Sequence, residues 1–487
     1  MGDRMDKIQK TISALKDKRA VKNITVAYAF TVLTYQVLRF IIPVCQFLDT
    51  LHLDLLSPIL AVIGFGIFAW DFLIDRVMFK VKYSFILLGV IGVLCLSTLL
   101  NFRYDFVGNV KAIIWQIVQM LVIFPLYKRV SYEEFKKLLK VYFAIISAIF
   151  LIANIVSLVQ YYTLVRYNII SGSSISRQGF QEGRLFGVYS SPHFASVLNL
   201  VLAIGSVYCA VTFKNKYFKA YYIAAALFNF LYAICSATRS VIIGVACALF
   251  VAVFFKASSV LNGKKKLLPI LNYSLSFILA VVVAVAGIAA FSLSSKGLSY
   301  TQRLVIENSD SIENGETELP EDLERPDISE ENISNHRFEI WTNYITATSK
   351  NIKTVLFGMS PSGYMKYISD NFPDMFIVKY IKNNYPLMIE KGLIYDTHNA
   401  YVGVFAASGI VGSLLIIALL LFGFIRVVKH LNKGNVKSGG LFLLAGIVLI
   451  LASSFFDSDL FYKCTGTSVA FWLLLGMLLM ATEKDRQ

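Results

Sequence analysis

The stretch YDTHNAYVGVFAASGIVGSLL (Tyr395–Leu415) decides how this chain is read. Four polar residues, Asp396, Thr397, His398 and Asn399, run directly into a long apolar helix. A short side-chain oxygen from Asp396 or Thr397 is expected to cap that helix, because its first N–H groups have no partner within it. His398 is then expected in the first turn, where the positive end of the helix dipole favours anions. The apolar run that follows is long enough to enter a bilayer, which places this turn at a membrane surface. An ionisable ring at that height suggests chemistry on a lipid-linked substrate.

The rest of the composition fits that placement. The 487 residues are 56% hydrophobic, with mean hydropathy +0.63. Soluble domains sit nearer roughly 45–50% apolar, so the bilayer is the solvent here. The formal charge of +15 marks cytoplasmic loops and anionic headgroups in such a protein. Nucleic acid is excluded as a partner, since no basic patch with a recognisable binding module occurs. Cys45, Cys95, Cys209, Cys235, Cys247 and Cys464 are scattered, mostly in apolar runs, and form no C-x-x-C pair. That pattern argues against a disulfide framework or a zinc site. The N-terminus is a polar, basic stretch with no small-residue cleavage site after it, so no cleavable signal peptide is expected.

Counting roughly 20 apolar residues per helix gives about twelve spans. They fall near 23–48, 55–74, 83–101, 109–127, 140–162, 192–213, 218–236, 239–255, 268–291, 398–425, 439–456 and 467–482. Alternate connections carry the Lys and Arg clusters: Lys7 to Arg19, Arg76 to Lys82, Lys128 to Lys140, Lys214 to Lys219, Lys264 to Lys266, and Arg426 to Lys437. The positive-inside rule puts these connections, the segment 1–22 and the tail 483–487 in the cytoplasm. The expected fold class is an all-α polytopic membrane protein.

Three outer connections stand out. Residues 163–191 are polar and carry Arg166, Arg177 and Arg184. The link Ser236–Arg239 is very short. Residues 292–397 are too long for a passive turn and are expected to form one outer loop domain. Its acidic tract, 307–331, holds Glu307, Asp310, Glu313 and further carboxylates around Pro320 and Pro326, and reads as a solvated flap. Calcium binding there lacks the spacing of an EF-type loop. From His336 to Lys350 the pattern is helical, with Phe338, Trp341, Tyr344, Ile345 and Thr348 on one stripe. Leu356–Tyr364 reads as a Gly/Pro/Ser turn.

Four outer positions combine a cation or imidazole with apolar surroundings: Arg184, Arg239, Arg337 and His398. A cation beside hydrocarbon is costly and usually faces protein or a watery cavity. Guanidinium groups match phosphate oxygens in bidentate fashion, so three at one level suggest an oligo-anion such as pyrophosphate. The plainer reading of a lone Arg at a span end is a headgroup anchor, though the link holding Arg239 is too short for a casual charge. His398 alone serves as a helix-start residue as readily as a base. His193 is a polar residue at a span entrance that reaches substrate in the sharper reading, and His336 adjoins Arg337. Glu339, Glu390 and Asp396 are partners for these cations, orienters of His398, or solvated charges. His52 and His430 look ordinary. Arg39 and Asp71 are expected to pair inside the bundle. No metal is expected, because the His residues are dispersed and no H-x-x-x-H spacing appears on the outer face. A G-x-S-x-G elbow and a Walker-type phosphate loop are also missing, which leaves no cofactor to predict.

Here the residues point to a family. His398, Asn399, Ala400 and Tyr401, followed by Gly409, Ile410, Val411 and Gly412, resemble the motif opening a late span in the O-antigen ligase and O-antigen polymerase superfamily. The resemblance extends to Arg184-Leu185-Phe186-Gly187 with Pro192, to Thr238-Arg239-Ser240, and to Arg337 with Trp341 followed by Leu356-Phe357-Gly358. It covers most of the region from 180 to 415 in the right order. It implies a metal-independent, inverting glycosyltransferase of the second C-type architecture, using an undecaprenyl-pyrophosphate-linked glycan outside the plasma membrane. A repeat-unit flippase and a chain-length regulator are implied partners. By this resemblance Arg184, Arg239 and Arg337 hold the pyrophosphate, His398 acts near the acceptor hydroxyl, and Asn399 and Tyr401 join the acceptor side. Three positions depart from the pattern: His193 stands where Asn is common, Ala407 where Glu is common, and Ser360 where glycine is usual. The role of that Glu does not carry over. The leading expectation is a polysaccharide polymerase. A ligase moving finished glycan to lipid A, wall polymer or protein is the alternative. A transporter or flippase fits less well, since there is no internal repeat and the cations gather at one face.

Overall fold

The computed structural model describes residues 18–171, 174–263, 269–307, 336–384, 396–431 and 439–482. Most of the acidic tract and Glu390 lie outside these residues. The described chain is almost wholly helical, as a bilayer requires: no water is there to take up free N–H and C=O groups, so each span must satisfy its own. Eight helices are long and apolar enough to cross a membrane, and Ser84–Leu100, Gly440–Phe456 and Gly466–Ala481 are shorter apolar helices. Eleven of the twelve expected spans fall on these helices; the first, 23–48, is instead divided between helices Lys18–Leu38 and Ile42–Thr50. The helix expected at 268–291 runs on as Pro269–Glu307.

Lipid-facing and core-facing surfaces separate cleanly. Helix Leu56–Trp70 exposes Ile59, Val62, Ile63 and Phe65, and helix Pro269–Glu307 exposes Phe277, Ile278, Val282 and Val285. Exposed apolar surface on that scale suits hydrocarbon rather than water. Helix Gly466–Ala481 is the opposite case, buried along its whole length, with Trp472 packed edge-on to Phe124 and Phe471. It is the axis around which the other spans pack.

Several polar side chains inside the bundle are paired. Arg129 reaches Asp71 at 2.8 Å and Asp75 at 2.9 Å, and Arg39 meets Asp49 at 3.6 Å and the Tyr35 hydroxyl at 2.9 Å. Asn154 Nδ2 donates to Asn199 Oδ1 at 2.7 Å and Asn229 Oδ1 at 2.9 Å, while the Tyr189 hydroxyl donates to Asn154 Oδ1 at 2.6 Å. This network joins helices Tyr132–Tyr162, Pro192–Thr212 and Lys216–Cys235, where apolar contact alone gives little preference for one arrangement. Through Tyr189 it also fixes the segment that leads from the arginine strand into helix Pro192–Thr212.

That segment holds the one departure from helix among the described residues. Residues 166–187 form a three-stranded antiparallel sheet, β1 (Arg166–Ser171), β2 (Ser174–Gln181) and β3 (Arg184–Gly187), in the order β1-β2-β3. Gln181 pairs with Arg184 across a two-residue turn, Glu182-Gly183, in which both residues have positive φ. Such turns match the natural twist of the strands. The alternation in 166–181 and the Glu-Gly turn are the strand signals that an all-helical reading passes over. β3 continues into the bundle wall, where Ile42 N donates to Val188 O and Ser190 N donates to Phe40 O, both at 2.8 Å.

Of the outer segment after 335, helices Arg337–Ser349, Ile352–Phe357, Tyr364–Asn371 and Phe376–Asn384 are described. Ile340, Trp341, Tyr344, Ala347 and Thr348 are buried, while Phe338 and Ile345 are exposed. The stripe therefore splits, with its buried side one residue further round the helix than the sequence pattern suggested.

Candidate active site at one end of the bundle

The site begins with the start of helix Ala400–Leu431. Asn399, not Asp396 or Thr397, caps it: Asn399 Oδ1 accepts from Tyr401 N at 2.9 Å and Val402 N at 3.0 Å. Thr397 Oγ1 instead donates to Asn399 O at 2.9 Å. His398 accordingly stands just outside the helix rather than in its first turn, with φ at +46°. A left-handed histidine is uncommon and costs on the order of 1–2 kcal/mol, so the surroundings must hold it there. Asp396 is tied down by the Tyr364 hydroxyl at 2.8 Å and by the Lys463 ammonium. Tyr401 donates its hydroxyl to Leu451 O at 2.9 Å.

The same helix breaks nine residues after Ala400. Gly409 has φ +63° and ψ −164° inside it. The break frees carbonyls that the outer turn takes up: Met359 N donates to Ala406 O at 2.7 Å and Ser360 N to Ala407 O at 3.2 Å. Ser97 Oγ donates to the Ala407 carbonyl, and Asn101 Nδ2 donates to Gly358 O at 3.1 Å. Gly358, at φ +75°, is pressed so close that a Cβ would stand 2.3 Å from Ala407 C; one on Gly409 would stand 2.5 Å from Leu356 C. Only glycine permits both the conformation and the approach. These two glycines lock the outer helices onto the span that carries His398.

Arg337 opens helix Arg337–Ser349, with its guanidinium 5.9 Å from the Phe456 ring. Burial holds it below its ordinary value, Asp457 opposes that effect, and the charges of Arg184 and Arg239 add to it. It stays a cation, since guanidinium titrates far above neutrality. Arg184 and Arg239 therefore both stand within electrostatic range of Arg337. Arg184 leaves the Glu182-Gly183 turn with its guanidinium over Phe186 at 4.7 Å and 3.2 Å from Glu182. Arg239 starts helix Arg239–Gly263 and is exposed. The link before it is fixed by Ser196 Oγ donating to Ser236 Oγ at 2.7 Å.

His193 binds the groups together. Its Nδ1 lies 2.7 Å from Ser240 Oγ, next to Arg239, and its Nε2 lies 3.2 Å from Asp457 Oδ2. A neutral ring satisfies both, with Nδ1 accepting the serine proton and Nε2–H donating to the carboxylate. His398 is pulled down to about 4, first by burial and then by Arg337. It is therefore uncharged at neutral pH. Burial pushes Asp457 up to about 7, against the pull of the Ser458 N–H and Arg337.

Asp457 is the residue that sequence reading missed. It lies in DSDLFYKCTG (Asp457–Gly466), between two apolar helices. A carboxylate at a span end was as strong a signal there as the arginines were elsewhere. Lys463 was missed with it; besides Asp396 it meets Asp459 at 3.7 Å and Ser458 Oγ at 3.2 Å. A cavity of about 260 Å³ opens beside the helix start, lined among others by Tyr364, Asp396, Ser458, Phe461 and Lys463. The His336 ring packs on Phe376 at 5.5 Å and Tyr380 at 5.3 Å. Glu339 is exposed.

Residues 223–417 match the family model described as O-antigen ligase. They form an O-antigen ligase family domain. The matched segment contains Arg239, Arg337, His398 and both motif glycines, and this family implies glycosyl transfer with lipid-linked glycan substrates. Arg184, His193 and Asp457 come from outside the O-antigen ligase domain, from elements packed against its two ends. Among curated proteins nothing matches the chain.

Proposed function

We propose that this protein is a polymerase of undecaprenyl-pyrophosphate-linked oligosaccharide repeats, building a surface polysaccharide such as O-antigen or capsule at the outer face of the plasma membrane. The observation that supports it most is the gathering of Arg184, Arg239 and Arg337 next to uncharged His398 at one end of the bundle. The basic connections belong to the other end, so both termini are cytoplasmic and the site faces outward.

In this reading the arginines hold the donor's pyrophosphate. The bond from the anomeric carbon to the pyrophosphate oxygen breaks, its electron pair leaves with the pyrophosphate, and fixed guanidinium charge stabilises that leaving group. The acceptor sugar hydroxyl attacks from the opposite face, inverting the centre, while His398 takes up its proton. Fixed cations fill the place that a divalent ion takes in other phosphate chemistry, and the preactivated donor needs no nucleotide. Asp457 is a positioning residue that orients His193 and balances Arg337. The polar side chains of Asp396 and Ser458 and the ring of Phe461 line the side of the site offered to the acceptor sugar.

A ligase is the second reading, and the family description itself favours it. The purified protein supplied with lipid-linked repeat alone separates the two. A ladder of products is expected; no extension until lipid A or another foreign acceptor is added would make it a ligase, and lipid scrambling without new glycosidic bonds would make it a transporter.

A further inference from the structure

At the end of the bundle remote from the arginines, helices Tyr132–Tyr162, Pro192–Thr212, Gly440–Ser453 and Gly466–Ala481 leave a cavity of about 560 Å³ between them. Its wall is apolar, with Leu139, Phe143, Val201, Leu443, Leu474 and Met477, and its mouth carries Lys136 and Lys140. A second apolar cavity of about 460 Å³ adjoins it through Leu139, Phe143, Val201 and Leu474, and reaches Phe150 and Leu198. From Lys136 to Phe150 the helix rises about 21 Å, enough to carry a slot through one leaflet of a hydrocarbon core about 30 Å thick.

The mouth is positively charged. Lys140 Nζ lies 4.9 Å from the Phe213 ring and 5.9 Å from the Tyr208 ring, and pairs with no carboxylate among the described residues. Lys136 has only the mostly exposed Glu133 at 3.4 Å, while Glu134 is engaged by Lys22 at 2.8 Å. Gly446 opens onto this space: a Cβ there would meet nothing within 4 Å.

We propose that this slot binds one anionic phospholipid of the bilayer, with its phosphate on Lys136 and Lys140 and an acyl chain along the apolar wall. Charge and location choose that occupant. A tail reaching in from a substrate held at the arginines brings no charge to this end, because Tyr208 lies about 22 Å of helix away from His193. The lysines need an anion of their own, and apolar walls behind a cationic mouth fit a headgroup joined to hydrocarbon. The inference rests on the chain spanning a bilayer, not on its glycosyl transfer.

Native mass spectrometry of the full chain released from nanodiscs of mixed phosphatidylglycerol and phosphatidylcholine tests it without any turnover. One retained phosphatidylglycerol per chain is expected. Lys136→Gln with Lys140→Gln should lower that retention by about tenfold or more, as loss of charge-assisted contacts does. Gly446→Leu should lower it too, by filling the slot with a side chain that the helix accepts readily. Equal retention of the two lipids, retention unchanged in the lysine variant, or a polyprenyl phosphate kept in preference to phospholipid would overturn the proposal.

Discussion

His193 Nε2 stands 3.2 Å from Asp457 Oδ2, joining the start of helix Pro192–Thr212 to the loop before helix Gly466–Ala481. On its other side the same ring meets Ser240, the neighbour of Arg239. One imidazole thus registers three elements at the site, and Asp457 also faces Arg337. Removing the carboxylate unties both.

The first prediction concerns pH. Asp457 is pushed up to about 7 by burial, whereas His398 is pulled down to about 4. As pH rises through 7, Asp457 becomes an anion that orients His193 and balances Arg337; His398 is already uncharged. Glycosyl transfer should therefore rise with pH around 7, and Asp457→Asn should flatten that limb. The sign for stability is opposite. A carboxyl raised in the folded state keeps a proton that the unfolded chain, near 4, has lost, so stability falls as pH climbs from about 4 to 7. Asp457→Asn should accordingly narrow the difference in thermal midpoint between pH 5 and pH 8. An unaltered pH–rate profile in Asp457→Asn would remove this role.

A second prediction tests the base. His398→Ala should slow transfer on the order of 10²-fold or more, with little change in donor binding. His193→Ala should also slow transfer, but through misplacement, so the limb near pH 7 should vanish with it. Comparable losses in donor binding for both variants would make each a structural residue only.

The third prediction concerns the outer turn. Gly358→Ala puts a Cβ against the Ala407 backbone at positive φ, and should cost about 1–3 kcal/mol or more. Ser360 runs the other way. It holds φ +82° with its hydroxyl buried and without a partner. Ser360→Gly should thus stabilise the protein by about 1 kcal/mol. Thermal unfolding in detergent reads both; a fall in midpoint for Ser360→Gly would mean that its hydroxyl has a partner after all.

Much of this architecture was legible in the residues. Apolar length placed the helices, because a span must be continuous to satisfy its backbone in lipid. The arginines were legible because a cation beside hydrocarbon needs a reason. Local geometry was less so. Three polar residues within four positions, Asp396, Thr397 and Asn399, are all competent caps, and only the backbone path selects Asn399. The sheet at 166–187 hid inside a polar connection whose length gave no hint of strand pairing. Asp457 escaped because its loop is short and its partners, His193 and Arg337, are remote in the chain. Gly358 and Gly409 carried the opposite lesson: motif glycines far apart proved to be two faces of one backbone contact.

The central claim is that Arg184, Arg239 and Arg337 hold a pyrophosphate together, and competition by polyprenyl pyrophosphate against donor in the reconstituted protein tests it most directly. Arg337→Ala and Arg239→Ala should each weaken that inhibitor by about ten- to a hundredfold, as loss of a charge-assisted contact does. Arg337→Lys should recover only part, because a point charge lacks the planar fork. Inhibition unchanged in both alanine variants would contradict the account.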